Sequence, residues 1–196
     1  MRKRLFLMLF VAVVAFASCS KKKETPQPAP AQTTKGLFVL NEGTFTYANA
    51  SLSFYNFDKN EVENNLFFRA NNAPIGDVGQ SLTLIGDDLY IVVNNSKYIY
   101  KVDAKSIVYK AKIEGFTSPR YMLQVSDDKA YVSDLVSTGF WVLNLNDLSK
   151  TFVETGNTTE AMVKVGDEVF MSNWSNYYTS SETSNNTIQV VEYVNN

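Results

Sequence analysis

The side chains that most often carry out catalysis are scarce in this chain. Its 196 residues include no histidine and a single cysteine, Cys19. That excludes a Ser-His-Asp triad, a histidine-ligated zinc site and histidine acid–base chemistry. A reaction would have to run on Asp, Glu, Tyr, Lys or a bound metal. Asp77 and Glu42 could form a carboxylate pair, but their spacing does not argue for one. What the chain does offer is aromatic rings, 13% of residues, among many neutral amides and hydroxyls. Aromatic faces beside neutral donors and acceptors suit a large, partly apolar ligand rich in amides or hydroxyls. Charge is sparse, which disfavours a heavily phosphorylated ligand. The net charge of −2, with no long basic run in the main part of the chain, argues against nucleic acid as a partner.

The residues expected to face such a ligand fall in segments rich in Asn, Ser, Thr and Gly. Phe45 and Tyr47 lie in Asn41–Asn49, and Trp174 and Tyr177 lie in Asn173–Tyr178. Gln80, Asn95, Arg120 and Tyr121 come from three further connections. Each has a plainer reading. Asn and Asp are turn formers, and Tyr and Trp also pack between sheets. Arg120, which follows a proline, serves equally as a ligand contact or as a donor to neighbouring carbonyls.

The elements that must hold these residues repeat. Asp87–Asn94 (DDLYIVVN) reads as a turn followed by a strand. Asp127–Asp134 (DDKAYVSD) and Gly166–Asn173 (GDEVFMSN) repeat it at a spacing of about forty, and Gly36–Asn41 is an earlier copy at longer spacing. A second strand pattern repeats in step, in Ser53–Asp58, Ile99–Asp103, Phe140–Asn146 and Ile188–Glu192. Alternating apolar residues bounded by Asn, Asp and Gly predict short half-buried strands joined by tight turns. The expected fold class is all-β. A β-sandwich with accidental spacing would show one such phase. Two phases repeating together predict β-propeller blades, four-stranded antiparallel sheets arranged around an axis. Residues 36–196 supply three complete blades plus part of a fourth, an incomplete ring. That count is expected of the N-terminal half of a seven- or eight-bladed protein, or of an oligomer that completes the ring. In either case the face carrying the second-to-third-strand loops and the inter-blade connections is the expected binding face.

The N-terminal segment is of another kind. Arg2, Lys3 and Arg4 precede Leu5–Ala17, an uncharged apolar run too short to cross a bilayer, which needs about 20 residues. This fits a secretory signal, residues 1–18. The sequence Phe16-Ala17-Ser18-Cys19 resembles the bacterial lipobox, with Phe16 where Leu is usual, and implies a lipid anchor on Cys19. Residues 19–35 hold Lys, Pro, Gln and Thr with little to bury, and are expected to be a disordered tether.

Gly36–Phe45 (GLFVLNEGTF), Tyr47–Tyr55, Asp77–Ser81, Val92–Ser96 and Gly115–Tyr121 together resemble the YVTN-repeat propeller lipoproteins of outer-membrane bacteria. The resemblance covers nearly all of residues 36–196, about the first half of such a protein. It implies a lipid-anchored outer-membrane protein that binds cobalamin and passes it to a TonB-dependent transporter, but it carries over no individual contact residue. No enzymatic activity and no cofactor are expected. Two other functions remain open: an interaction scaffold for an outer-membrane complex, and a propeller lyase or lactonase, which would require carboxylates gathered at the axis.

Overall fold

The computed structural model describes residues 35–173 and 187–192. The elements run β1 (Gly36–Asn41), β2 (Ser51–Asn56), β3 (Glu61–Glu63), α1 (Leu66–Asn71), β4 (Gly79–Ile85), β5 (Asp88–Val93), β6 (Tyr98–Asp103) and β7 (Tyr109–Ile113). They continue through β8 (Pro119–Gln124), β9 (Lys129–Asp134), β10 (Gly139–Asn144), β11 (Lys150–Glu154), β12 (Thr159–Val165), β13 (Glu168–Asn173) and β14 (Ile188–Glu192). The strands form four antiparallel meanders, β1-β2-β3, β4-β5-β6-β7, β8-β9-β10-β11 and β12-β13-β14. The fold is all-β, and its sheets are blades of the kind the repeat predicts, but among the described residues two are four-stranded and two three-stranded, where three complete blades were expected.

Blade packing follows from the period of two along a strand. In β5, Leu89, Ile91 and Val93 join Leu52, Phe54 and Phe67 in a core between the first and second sheets. Tyr90 and Val92, on the other face, join Met122, Ala130 and Val132 between the second and third. Tyr131 of β9 then packs with Phe140, Val169 and Met171 between the third and fourth. A second strand covered on both faces therefore reads as an unbroken apolar run, and Leu89 to Val93 are all buried. Outer strands such as β7, with its alternating Lys residues, are largely exposed.

Side-chain hydrogen bonds join the first strand of one sheet to that of the next. Ser81 Oγ donates to Arg120 O, Thr83 Oγ1 to Met122 O, and Lys164 Nζ to Val125 O. These bonds place β4, β8 and β12 side by side along the common axis. The first sheet begins one strand later. Its β1 matches β5 in the repeat, so it has no counterpart of β4 among the described residues. The short helix α1 occupies the connection to β4 and inserts Leu66 and Phe67 into the first core.

Candidate functional site

Two groups of polar residues are built at the loop end of the sheets. The first centres on Asp77. Gly76 precedes it at φ 126°, where a Cβ would lie 2.3 Å from Tyr98 Oη, so only glycine fits. The turn delivers the Asp77 side chain, 8% exposed, beneath the loop joining β1 to β2. Its two carboxylate oxygens accept from Thr46 N at 3.0 and 2.9 Å, and Asn95 Nδ2 donates to Oδ2. The backbone N–H of Asp77 in turn donates to Ser96 Oγ. Thr46 is thus fixed between two exposed rings, Phe45 at 64% and Tyr47 at 73% exposure. Apolar rings held in water on a pinned loop do not stabilise the fold by burial, and they present a preformed contact surface.

The second group lies on the axis. Gln80, Arg120 and Glu160 occupy matched positions forty residues apart on β4, β8 and β12. Arg120 Nε donates to Glu160 Oε1 and Oε2 at 3.0 and 2.9 Å, Nη2 donates to Oε1 at 2.6 Å, and Nη1 donates to Gln80 Oε1. The two charges therefore cancel within the wall. A cavity of about 240 Å³ opens beside the pair, lined also by Ser172 and Asn173.

The placement of Gln80, Arg120 and Tyr121 departs from the sequence reading, which put them in connections. All three lie within strands. Arg120 donates to the Glu160 carboxylate and to the side-chain carbonyl of Gln80. Its partner Glu160 was not singled out from the sequence, although the forty-residue spacing from Gln80 through Arg120 carries the signal. The structure brings Asn95 to the loop holding Phe45 and Tyr47, and Gln80 to Arg120. Tyr121 follows Arg120 on β8, and its backbone N–H donates to Ser133 Oγ. Asp77 is committed to Thr46 and Asn95, while the backbone carbonyl of Glu42 accepts from Gly79 N. Cys19, Trp174, Tyr177 and Tyr178 lie outside the described residues. Among the described residues, no group of three or more Asp, Glu, Cys or His side chains could hold a metal ion.

Asp134 marks the equivalent end of the third sheet. It is fully buried and accepts from Thr117 N, Ser118 N, Val136 N, Ser137 N and Trp141 Nε1. Its own N–H donates to Thr159 Oγ1 at the start of the next blade.

Successive antiparallel meanders, two of four strands and two of three among the described residues, joined strand to strand along an axis, define a β-propeller-type protein. The chain belongs to the family described as a domain of unknown function, DUF5074, which matches residues 35–196. No curated protein matches it. Among solved structures it is similar to the hydrazine synthase of Kuenenia stuttgartiensis, with a TM-score of 0.62 and 13% identity over 91% of this chain and 49% of that one. It is also similar to a quinonprotein alcohol dehydrogenase-like protein from Bacteroides thetaiotaomicron, with a TM-score of 0.57 and 14% identity over 81% and 41%. A third similar structure is the extracellular domain of a protein from the same organism described as a hybrid two component system. Its TM-score is 0.57, at 15% identity over 83% and 23%. At these identities the likeness is one of fold. The chain spans half or less of the length of each of these structures.

Proposed function

We propose that this chain is a non-catalytic binding protein of the cell envelope that captures cobalamin or a related corrinoid for a TonB-dependent outer-membrane transporter. Its anchor is a lipid on Cys19, exposed by removal of residues 1–18, and residues 19–35 form the tether. The observation that carries the reading is the pinned loop. Phe45 and Tyr47 are exposed on a segment whose backbone Asp77 and Asn95 hold in place, so the ligand meets aromatic faces without paying to order them. The resemblance of Gly36–Phe45 and its companion segments to cobalamin-binding propeller lipoproteins supports the choice of ligand. Isothermal titration of the full chain with cyanocobalamin tests it. Binding in the micromolar range, weakened at least about tenfold by the double change Phe45→Ala and Tyr47→Ala, is expected; absence of heat sinks the corrinoid reading.

A second reading, an interaction scaffold, is favoured by a different observation. The outer sheets leave apolar side chains uncovered, Leu37, Val39 and Val62 on the first and Val163, Val165 and Ile188 on the fourth. Co-purification of the transporter with the wild-type chain but not with Leu37→Lys, Val39→Lys would support it.

A further inference from the structure

The blades repeat, so the places where one departs from the others stand out. In the second and third sheets, residues 94–97 and 135–138 join the second strand to the third, and residues 114–118 and 155–158 lead to the next sheet. The first sheet is longer at both places. Residues 42–50 join β1 to β2, and residues 64–78, with α1 among them, lead to β4. Insertions in a repeat gather on one face, often the face that binds. Here both insertions line one cavity of about 330 Å³. Ala48 and Asn49 come from the first, and Asn65, Phe68 and Pro74 from the second.

Both contributors are held in place by the protein itself. In the first, Asn49 Oδ1 accepts from Thr44 N at 2.7 Å, Asp77 holds Thr46 N, and Ala50 N donates to Gly76 O. Ala48 sits at φ 51°, in the left-handed region that disfavours alanine. Such strain persists only where the surroundings over-determine it, and it gathers at ligand sites. In the second, Asn71 Nδ2 donates to Phe67 O and Ile107 O, and Tyr109 N donates to Asn71 Oδ1, which ties α1 to the second sheet. A cavity between pinned segments binds without the cost of ordering them.

The lining defines what fits. The volume lies at the lower end of the roughly 300–1,000 Å³ of small-molecule cavities, room for one small ring system. Among the described residues, none that lines it is charged, which favours a neutral group. Its floor is apolar, with Leu52, Phe67 and Ile75 all buried. The accessible part carries the ring of Phe68, 54% exposed although its neighbours Leu66 and Phe67 are buried, and exposed Pro74. Asn49 and Asn65 are exposed beside them, and the Asn65 side chain makes no cap bond to α1. An exposed aromatic face next to free amide groups suits a flat ring with a polar edge, since ring stacking adds to the gain from burial.

We propose that this cavity binds a neutral planar aromatic group of one or two rings, stacked on Phe68 with its polar edge towards the amides of Asn49 and Asn65. Phe45 and Tyr47 do not line the cavity, and the site does not depend on the corrinoid reading.

Amide-resolved NMR titration of the full chain with benzimidazole and with indole tests the proposal, with cyclohexanol as a non-aromatic control and benzoate as a charged one. At least one of the two aromatic probes is expected to shift the Ser51, Asn65 and Phe68 amides with a Kd of about 1 mM or tighter, and both controls are expected to bind at least about fivefold more weakly. Phe68→Ser, at an exposed position, is expected to weaken the aromatic probe at least about fivefold, and Phe68→Trp, which restores a ring, to bind it within about threefold of wild type. The double change Phe45→Ala and Tyr47→Ala is expected to leave the titration unchanged. No shift at these amides, equal binding of cyclohexanol or benzoate, undiminished binding in Phe68→Ser, or a loss in Phe68→Trp as large as in Phe68→Ser would each overturn the proposal. Loss of the response in the Phe45–Tyr47 variant would overturn it too, placing the aromatic probe on the loop, whereas absence of cyanocobalamin binding alongside the expected shifts would sink only the corrinoid reading.

Discussion

At the scale of single residues, the acids of this protein organise backbone. Asp134 gathers five N–H groups from two loops and the Trp141 ring, all at a position without solvent. Removing it strands donors that water cannot reach. Asp134→Ala is expected to cost roughly 3 kcal/mol, since each buried group left unsatisfied costs about 1–3 kcal/mol and relaxation recovers part of the sum. Urea unfolding with an unchanged m-value measures this; a loss below about 1 kcal/mol would show that the carboxylate is not the organising acceptor. Asp77 does comparable work for one loop. Its role was not legible from the sequence, because Asp in a Gly-Asp-Val segment is first of all a turn residue. Only the fold brings Thr46, thirty-one residues away, onto it.

Among elements, the second sheet carries an acid–base cluster that stitches its outer strands together. Asp88 of β5 contacts Lys101 of β6 at 3.0 Å and Lys110 of β7 at 2.6 Å, and Lys110 reaches Asp103 at 3.1 Å. Burial pushes the Asp88 carboxyl up, but hydrogen bonds from Lys110 and Lys101 together outweigh it and hold the group below its ordinary value. Asp103 is held well below the usual carboxylate range by the backbone N–H of Ser106, then by Lys110. Groups whose folded values are depressed stabilise the fold above their unfolded values, about 3.9 for Asp, and lose that contribution as the pH falls through the folded values. The melting temperature is therefore expected to drop below about pH 4, and to drop less in Lys110→Ala. Thermal melts across that range check it, and an equal acid drop in the variant would remove the cluster from the account. The strands of this sheet were legible because Asp87–Asn94 and Ile99–Asp103 both recur about forty residues on, at Asp127–Asp134 and Phe140–Asn146. Helix α1 was not, because its six residues make less than two turns and Phe67 and Phe68 have strand preference. What holds it is tertiary, the burial of Leu66 and Phe67 against β2 and β5.

At the scale of the whole molecule, the first sheet starts at the second strand of its blade. Phe57 N donates to Lys35 O, so by the alternation of antiparallel ladders Leu37 and Val39 direct their N–H and C=O groups to β2, while Phe38 and Leu40 direct theirs to the open side. Glu42 O, continuing the second set, accepts from Gly79 N of β4. The Phe38 and Leu40 amides are expected to exchange with solvent hydrogen faster than those of Leu37 and Val39. Equal protection of both sets, read by residue-resolved exchange, would mean that a further strand lies along β1. The forty-residue period made the blades legible, but pairing on this edge is a property of position in the array and leaves no mark in the composition of Gly36–Asn41. This one-sided ladder also has a mechanical consequence. Under the proposed anchoring at Cys19, tension transmitted through the tether reaches the described residues at Lys35 and loads β1 before any other described strand. Pulled away from β2, its single neighbour among the described strands, β1 peels bond by bond, beginning with the Phe57–Lys35 contact, while β5 and β9, gripped on both edges, share the load across two ladders. The strand nearest the proposed anchor is therefore the one that yields first under force.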